Sequence, residues 1–474
     1  MYKQYINGRT VKGHGKPLTV LCPATGEAIA TFDTATAEQA REALEAAQSA
    51  FKPWSFTPIN ERIGWMLKLR DACLAEKEKI IALVTAESGR PYAAASADFN
   101  WFLISLAYYG EEVKRLNGAV IPTLNQPYGG TYYLVERRPI GVVVGHLAWN
   151  YPLGNAGIKI GPAMASGCPC VIKPSSETPL SLLHVGEIAE RIGLPAGVLN
   201  ILSGPAGEVG SALNRSVIPK MITLIGSNET GLRIMAEGAT SVKKYSFELG
   251  GNAPVIVMDD VEIDRVAASI VAKKTGFAGQ TCVNYNRIYV HEKVYEPLCA
   301  AIARELKLVG FENDAKYVCA PLINRKSRDR MFELIDDAVN AGAELVCGGE
   351  IPAGRERGNF ITPALLKNVN DGMRVSREEI FGPVIPLQPF SNLDRALEQA
   401  NDTIYGLSAY FYGHDSRDIA KAVSRFEAGE IFVNGADGNE LIPHAGTKQS
   451  GVGCDKSTWS LEEYFDFKTI AMVP

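Results

Sequence analysis

The strongest constraint on the fold is an alternation of short apolar runs and helical patterns that begins at Pro139. Ile140–His146, Cys170–Lys173, Val198–Leu202, Met221–Ile225 and Lys244–Phe247 are β-rich, and Gly154–Ser166, Leu180–Arg191, Ala206–Leu213 and Glu229–Ala236 between them carry helical patterns. Strands this short, separated by helices of this length, predict a parallel sheet with right-handed crossovers. Such a sheet binds its ligand beyond the carboxyl ends of its strands. Asn150, Lys173, Gly226 and Glu248 all fall at or just after a predicted strand end, which makes them candidates. A second α/β series follows, with strands expected at Pro254–Met258, Arg287–His291, Leu345–Cys347, Ala409–Tyr412 and Glu430–Val433.

The flanking regions obey other patterns. Thr36 and Gln39 have capping-box spacing, and Ala40, Leu44, Ala47 and Phe51 share one face of the helix they open. A further helical pattern covers about 60–79. Residues 126–138 read as a Tyr-Gly-Gly turn followed by an alternating strand, and the tail 460–474 ends in another strand. Exposed together, two such segments are an aggregation hazard unless they pair with another subunit. The 474 residues exceed one compact core, so two or three domains are expected. A net charge of −5 argues against a nucleic-acid surface. The longest apolar run, near Ile140–Val144, is broken by Gly145 and His146 and is too short to span a bilayer, and no apolar leader opens the chain. Nine scattered cysteines read as free thiols of a reducing compartment, so a cytoplasmic enzyme without a membrane partner is expected. Cys168 and Cys170 lack a second pair at zinc spacing, and no metal site is expected.

Several segments carry chemistry. In Gly276-Phe-Ala-Gly-Gln-Thr-Cys282 the thiol follows a polar turn rather than an apolar helix face, which admits a nucleophile beside the ordinary reading of a buried structural cysteine. The six histidines stand in unrelated contexts, so a papain-like Cys-His arrangement has little support. Glu248, before a Gly pair, is a solvated loop charge or a positioned base. Asn150, in Ala148-Trp-Asn-Tyr-Pro152, is an oxyanion donor or a turn residue before Pro152. Gly226-Ser-Asn-Glu-Thr-Gly231 opens a helix and favours phosphate without matching a dinucleotide fingerprint. Lys173 is a surface charge or a nucleotide contact.

Taken in order, these segments resemble the aldehyde dehydrogenase superfamily along essentially the whole chain. The resemblance rests on Tyr5-Ile-Asn-Gly8, Ala148-Trp-Asn-Tyr-Pro152, Lys173-Pro-Ser-Ser-Glu-Thr-Pro179, Gly193-Leu-Pro-Ala-Gly197, Gly226-Ser227, Glu248-Leu-Gly-Gly251, Gly279-Gln-Thr-Cys282, Glu379-Ile-Phe-Gly-Pro383 and Lys448-Gln-Ser-Gly451. It implies an α/β fold with a Rossmann-type dinucleotide domain over 1–120 and 140–248. An α/β catalytic domain over 249–450 and a β oligomerisation arm over 121–139 and 451–474 complete it, in a homodimer or homotetramer.

The resemblance also implies a mechanism. Cys282 attacks the aldehyde, Asn150 and the Cys282 backbone N–H hold the oxyanion, hydride passes to NAD or NADP, and Glu248 activates the water that hydrolyses the thioester. Lys159 joins this catalytic group as a structural lysine of the helix after Asn150. Glu379 and Phe381 are placed at the nicotinamide ribose and ring, and Trp149, Lys173, Gly226 and Ser227 at ribose and phosphate. NAD-preferring members often carry Glu where this chain has Ser176. A small neutral residue there removes repulsion of a 2′-phosphate, so NADP is expected to be accepted unless Glu177 bends back.

The substrate is expected to be a small or medium aldehyde, contacted by Tyr151, Thr281 and His444. His444 stands where many relatives have an aromatic residue, with a surface-loop histidine as the plainer reading. The arginine clamps of the succinate-semialdehyde branch are replaced by Gly276 and Ile158. A semialdehyde or hydroxyaldehyde is the alternative. A coenzyme A-acylating relative is disfavoured by Glu248, and a non-catalytic structural relative by the intact Asn150, Glu248 and Cys282.

Overall fold

The computed structural model describes residues 2–122 and 130–473, so most of the expected Tyr-Gly-Gly turn lies outside the described residues. The parallel series forms as expected. Its five strands are Leu199–Ile201, Cys170–Lys173, Val143–His146, Met221–Ile225 and Lys244–Glu248, in that spatial order. The amino-terminal pair Gln4–Ile6 and Arg9–Val11 extends one edge, and Gly451–Val452 closes the other against Lys244–Glu248. Strand residues such as Val143, Val171 and Ile222 are fully buried because helices cover both faces, as a parallel sheet requires. The helix Gly154–Ser166 is buried along its whole length and packs against Tyr92–Glu112.

The second sheet runs Glu344–Cys347, Ala364–Lys367, Val384–Phe390, Arg287–His291, Pro254–Val257, Ser408–Tyr412 and Glu430–Val433, and only its first strand is antiparallel to its neighbour. Val384–Phe390, absent from the expected strands, lies near the middle. Pro386 and Pro389 argue against a central strand, yet both sit in register with neighbours, Pro386 opposite Leu366 and Pro389 opposite Val290. The capping box at Thr36 and Gln39 is formed, opening a helix over Ala37–Phe56. The expected helix at 60–79 divides into Ile59–Ala75 and Lys77–Ser88.

A third layer is a small antiparallel sheet. Phe465–Met472 pairs along Tyr132–Pro139, which also pairs with Ala119–Ile121. Val120, Tyr132 and Phe467 of this sheet are exposed, the first two on one face and Phe467 on the other. The short helix Ser457–Glu462 packs instead on the helices Gly154–Ser166 and Tyr92–Glu112. No helix among the described residues is long and apolar enough to cross a membrane.

Candidate active site

The order of the parallel strands reverses between Val143–His146 and Met221–Ile225, which creates a crevice beyond their carboxyl ends. Trp149 and Asn150 follow the first of these strands and Gly226 and Ser227 the second. Glu248 is the last residue of the next strand along. The second sheet presents its opposite end to the same place, since Glu430 is the first residue of its strand and Cys282 precedes Arg287–His291.

Cys282 is delivered by an unusual turn. After the helix Ile263–Thr275, Phe277 and Ala278 adopt left-handed backbone angles. Such conformations cost non-glycine residues about 1–3 kcal/mol each and persist where packing over-determines them. Arg90 supplies part of that packing. Its guanidinium lies 3.9 Å from the Phe277 ring centroid and 4.0 Å from that of Tyr151, and its Nε donates to the Asn150 carbonyl at 3.0 Å. Gly251 supplies the rest, because a Cβ there would stand 2.3 Å from the Cys282 carbonyl oxygen.

Cys282 Sγ, His444 Nε2 and a Glu248 carboxylate oxygen all lie within 4.8 Å of one another. His444 Nε2 is 3.9 Å from the sulfur and 3.5 Å from Glu248 Oε1, and its Nδ1 is 3.0 Å from Glu430 Oε2. His444 is therefore buried and not a surface-loop residue, which corrects the plainer expectation. A Cys-His arrangement also exists, contrary to the sequence reading. It joins residues 162 positions apart, a separation no local motif reveals. Burial, with the Glu248 charge adding to it, pushes the Cys282 thiol up to about 12, and His444 acts in the opposite sense. Burial alone would lower the His444 pKa, but hydrogen bonds to Cys282, Glu248 and Glu430 carry it well above the ordinary value. Asn150 is buried, and its amide nitrogen donates to the Gln280 carbonyl at 3.3 Å. Lys159 is fully buried in an ion pair with Asp455, whose backbone bonds in both directions with that of His444. It thus supports the segment that carries His444.

Two cavities meet at the thiol. The larger, about 560 Å³, includes Tyr151, Thr281, Cys282, Glu430, His444 and Lys456 in its lining. The narrower, about 190 Å³, is lined by Trp149, Gly226, Ser227, Glu379 and Phe381 among others. Asn150, Glu248 and Cys282 line both. In the narrower cleft the Phe381 ring packs edge-on against Trp149 at 5.4 Å, from a left-handed backbone. Burial, then the charge of Glu248, raises the Glu379 carboxyl to about 7. Its Oε1 accepts from the Gly251 N–H, and its Oε2 accepts no hydrogen bond among the described residues. A buried carboxylate with a vacant acceptor suits the hydroxyls of a ribose. Lys173 is buried, and among the described residues its only hydrogen-bond partner is the Pro174 carbonyl, 3.5 Å away. Burial and the Arg233 charge lower it to about 8. Two neighbouring cations suit a phosphate, with Glu237 also near Arg233. Ser176 follows Lys173 by three residues, while Glu177 is held by Asn324 at 3.0 Å. These residues fit a bound dinucleotide.

Sequence reading missed Arg90, Arg233, Glu430 and Lys456. Glu430 carried a signal, a lone acid opening the apolar run Ile-Phe-Val. Lys456 carried none, yet its backbone is left-handed at φ 59° and its ammonium lies 4.9 Å from the Trp101 ring centroid.

The chain matches the aldehyde dehydrogenase family over residues 10–470. It is 36% identical to a glutarate-semialdehyde dehydrogenase of Pseudomonas putida, covering 99% of this chain and 97% of that one. It is also 36% identical to the NADP(+) succinate-semialdehyde dehydrogenase GabD of Escherichia coli, covering 98% and 96%. Among solved structures it superposes on lactaldehyde dehydrogenase from Escherichia coli with a TM-score of 0.95 at 31% identity, over 100% of this chain and 99% of that one. The chain belongs to the aldehyde dehydrogenase family and oxidises an aldehyde to the carboxylic acid with NAD or NADP.

Proposed function

We propose that Cys282 is the acylated nucleophile, Asn150 the oxyanion donor and Glu248 the residue that activates water. The observation that carries this reading is that Asn150, Glu248 and Cys282 all line both cavities, and that Ile225, which also lines both, has no polar side chain. The Asn150 amide, released from Gln280, steadies the negative oxygen without protonating it, a donor typically worth on the order of 100-fold or more in rate. The nicotinamide, when bound, takes up the hydride. Glu248 Oε1 makes no hydrogen bond of ordinary length among the described residues, with His444 Nε2 at 3.5 Å, and it receives the proton from water.

The substrate we favour is a small aldehyde with an anionic tail. The family's familiar clamps are Gly276 and Ile158 here, and Lys456 takes their place in the pocket lining, with no salt bridge among the described residues. The glutarate- and succinate-semialdehyde dehydrogenases to which the chain is similar act on aldehydes of that kind. Lys456→Ala is expected to lower kcat/KM for ω-carboxylated aldehydes roughly tenfold or more, the size of a charged hydrogen bond, and to spare neutral aldehydes of equal length. An equal effect on both sets would contradict the assignment.

Lys173, Arg233 and the neutral Ser176 favour NADP, and the Asn324 contact keeps Glu177 from bending back toward a ribose. Arg233→Ala is expected to reduce kcat/KM for NADP roughly tenfold more than for NAD. A strong preference of the unaltered protein for NAD would overturn this part of the proposal.

The three-stranded arm, with Val120, Tyr132 and Phe467 exposed, suits pairing with a second copy. Light scattering should give at least twice the 51.2 kDa chain mass, and a stable 51.2 kDa species would refute the pairing.

A further inference from the structure

The roles above leave one buried group unused. His444 touches the sulfur, yet nucleophile, oxyanion donor and water activator are all assigned without it. Its Nδ1 is fixed by Glu430 at 3.0 Å, which turns Nε2 toward Glu248 Oε1 at 3.5 Å and Cys282 Sγ at 3.9 Å. Two titratable groups adjoin the sulfur, and they act oppositely. Glu248 opposes ionisation of the thiol and His444 favours it. The other neighbours of the imidazole do not change this balance. Asp455, on the segment bridged to His444, is neutralised by Lys159, and Cys454 beside it is itself pushed up to about 12 by burial. The sulfur contact of 3.9 Å is long, as such contacts often are before substrate binds.

We propose that His444, held as an imidazolium by Glu430, is the cation that stabilises the Cys282 thiolate. The inference rests on Cys282 being the acylated residue and adds the means by which it becomes nucleophilic. The S–H bond breaks, its proton leaves to solvent, and the electron pair on sulfur, steadied by the imidazolium, forms the new C–S bond as the carbonyl pair moves to oxygen. That oxygen re-forms the carbonyl as hydride leaves the carbon, which a bound nicotinamide would accept, and a thioester remains. Water gives one proton to Glu248 and its oxygen to the acyl carbon. The C–S bond breaks with its electrons on sulfur, which returns as a thiolate beside the imidazolium. Glu430 remains ionised throughout and stabilises the imidazolium.

The test is the pH dependence of Cys282 alkylation by iodoacetamide in the full-length protein, read by peptide mass spectrometry. In His444→Gln the inflection is expected to rise by about one to two pH units, making alkylation at neutral pH roughly ten- to a hundredfold slower. Glu430→Gln should shift it in the same direction by a smaller amount. His444→Phe, which restores an aromatic of similar bulk, should behave like His444→Gln and so excludes a packing effect. Alkylation of Cys282 with an unchanged inflection in both His444 variants would overturn the proposal while sparing the nucleophile assignment. If aldehyde oxidation survived complete alkylation of Cys282, the nucleophile assignment would fall instead.

Discussion

The geometry of this enzyme depends on a connection of five residues. Leu249–Ala253 joins the last parallel strand of the first sheet, Lys244–Glu248, to a central strand of the second, Pro254–Val257. So short a link spans no more than roughly 20 Å, so the carboxyl end of one strand must lie close to the amino end of the other. Glu248 is therefore held against the turn that bears Cys282, and Gly251 is where the two backbones come closest. A side chain at that glycine would collide with the thiol's own carbonyl, so the link permits the site only in its present form.

Placing ionisable groups at such a junction has electrostatic consequences. Water is scarce there, and each charge needs a partner or shifts its proton affinity. Lys159 and Asp455 answer by pairing, and His444 and Glu430 do the same. Glu248 Oε1 and Asp455 Oδ2 are buried without hydrogen bonds among the described residues, and Glu248 and Glu379 line the narrower cleft. The left-handed residues Phe277, Phe381 and Lys456 mark the same region, with strain held where the surrounding packing leaves no alternative.

Much of this was legible in the sequence. Periodicity gave Gly154–Ser166, Cys170–Lys173, Leu180–Arg191 and Met221–Ile225 with matching bounds, because short strands and amphipathic helices are local signals. Of the candidates at strand ends, Asn150, Gly226 and Glu248 line the narrower cleft, and Lys173 lines neither cavity. Val384–Phe390 was hidden by its prolines, whose missing donors are tolerated in this sheet. The His444–Cys282 contact was hidden for a different reason. It depends on how Lys159 and Asp455 fix a distant loop, and no spacing rule encodes that. Lys456 and Arg233 were hidden because a lone cation in sequence resembles any solvated one, and only burial, backbone strain or an unpaired neighbour distinguishes it.

The central claim is that the acyl group passes through the sulfur of Cys282. It is tested most directly by mixing Glu248→Gln protein with an aldehyde and oxidised cofactor, then measuring intact and peptide masses after acid quenching. Slowed hydrolysis should leave the peptide containing Cys282 heavier by one acyl group, with one equivalent of reduced cofactor formed per site. A burst of reduced cofactor with no acyl mass on that peptide would contradict the account.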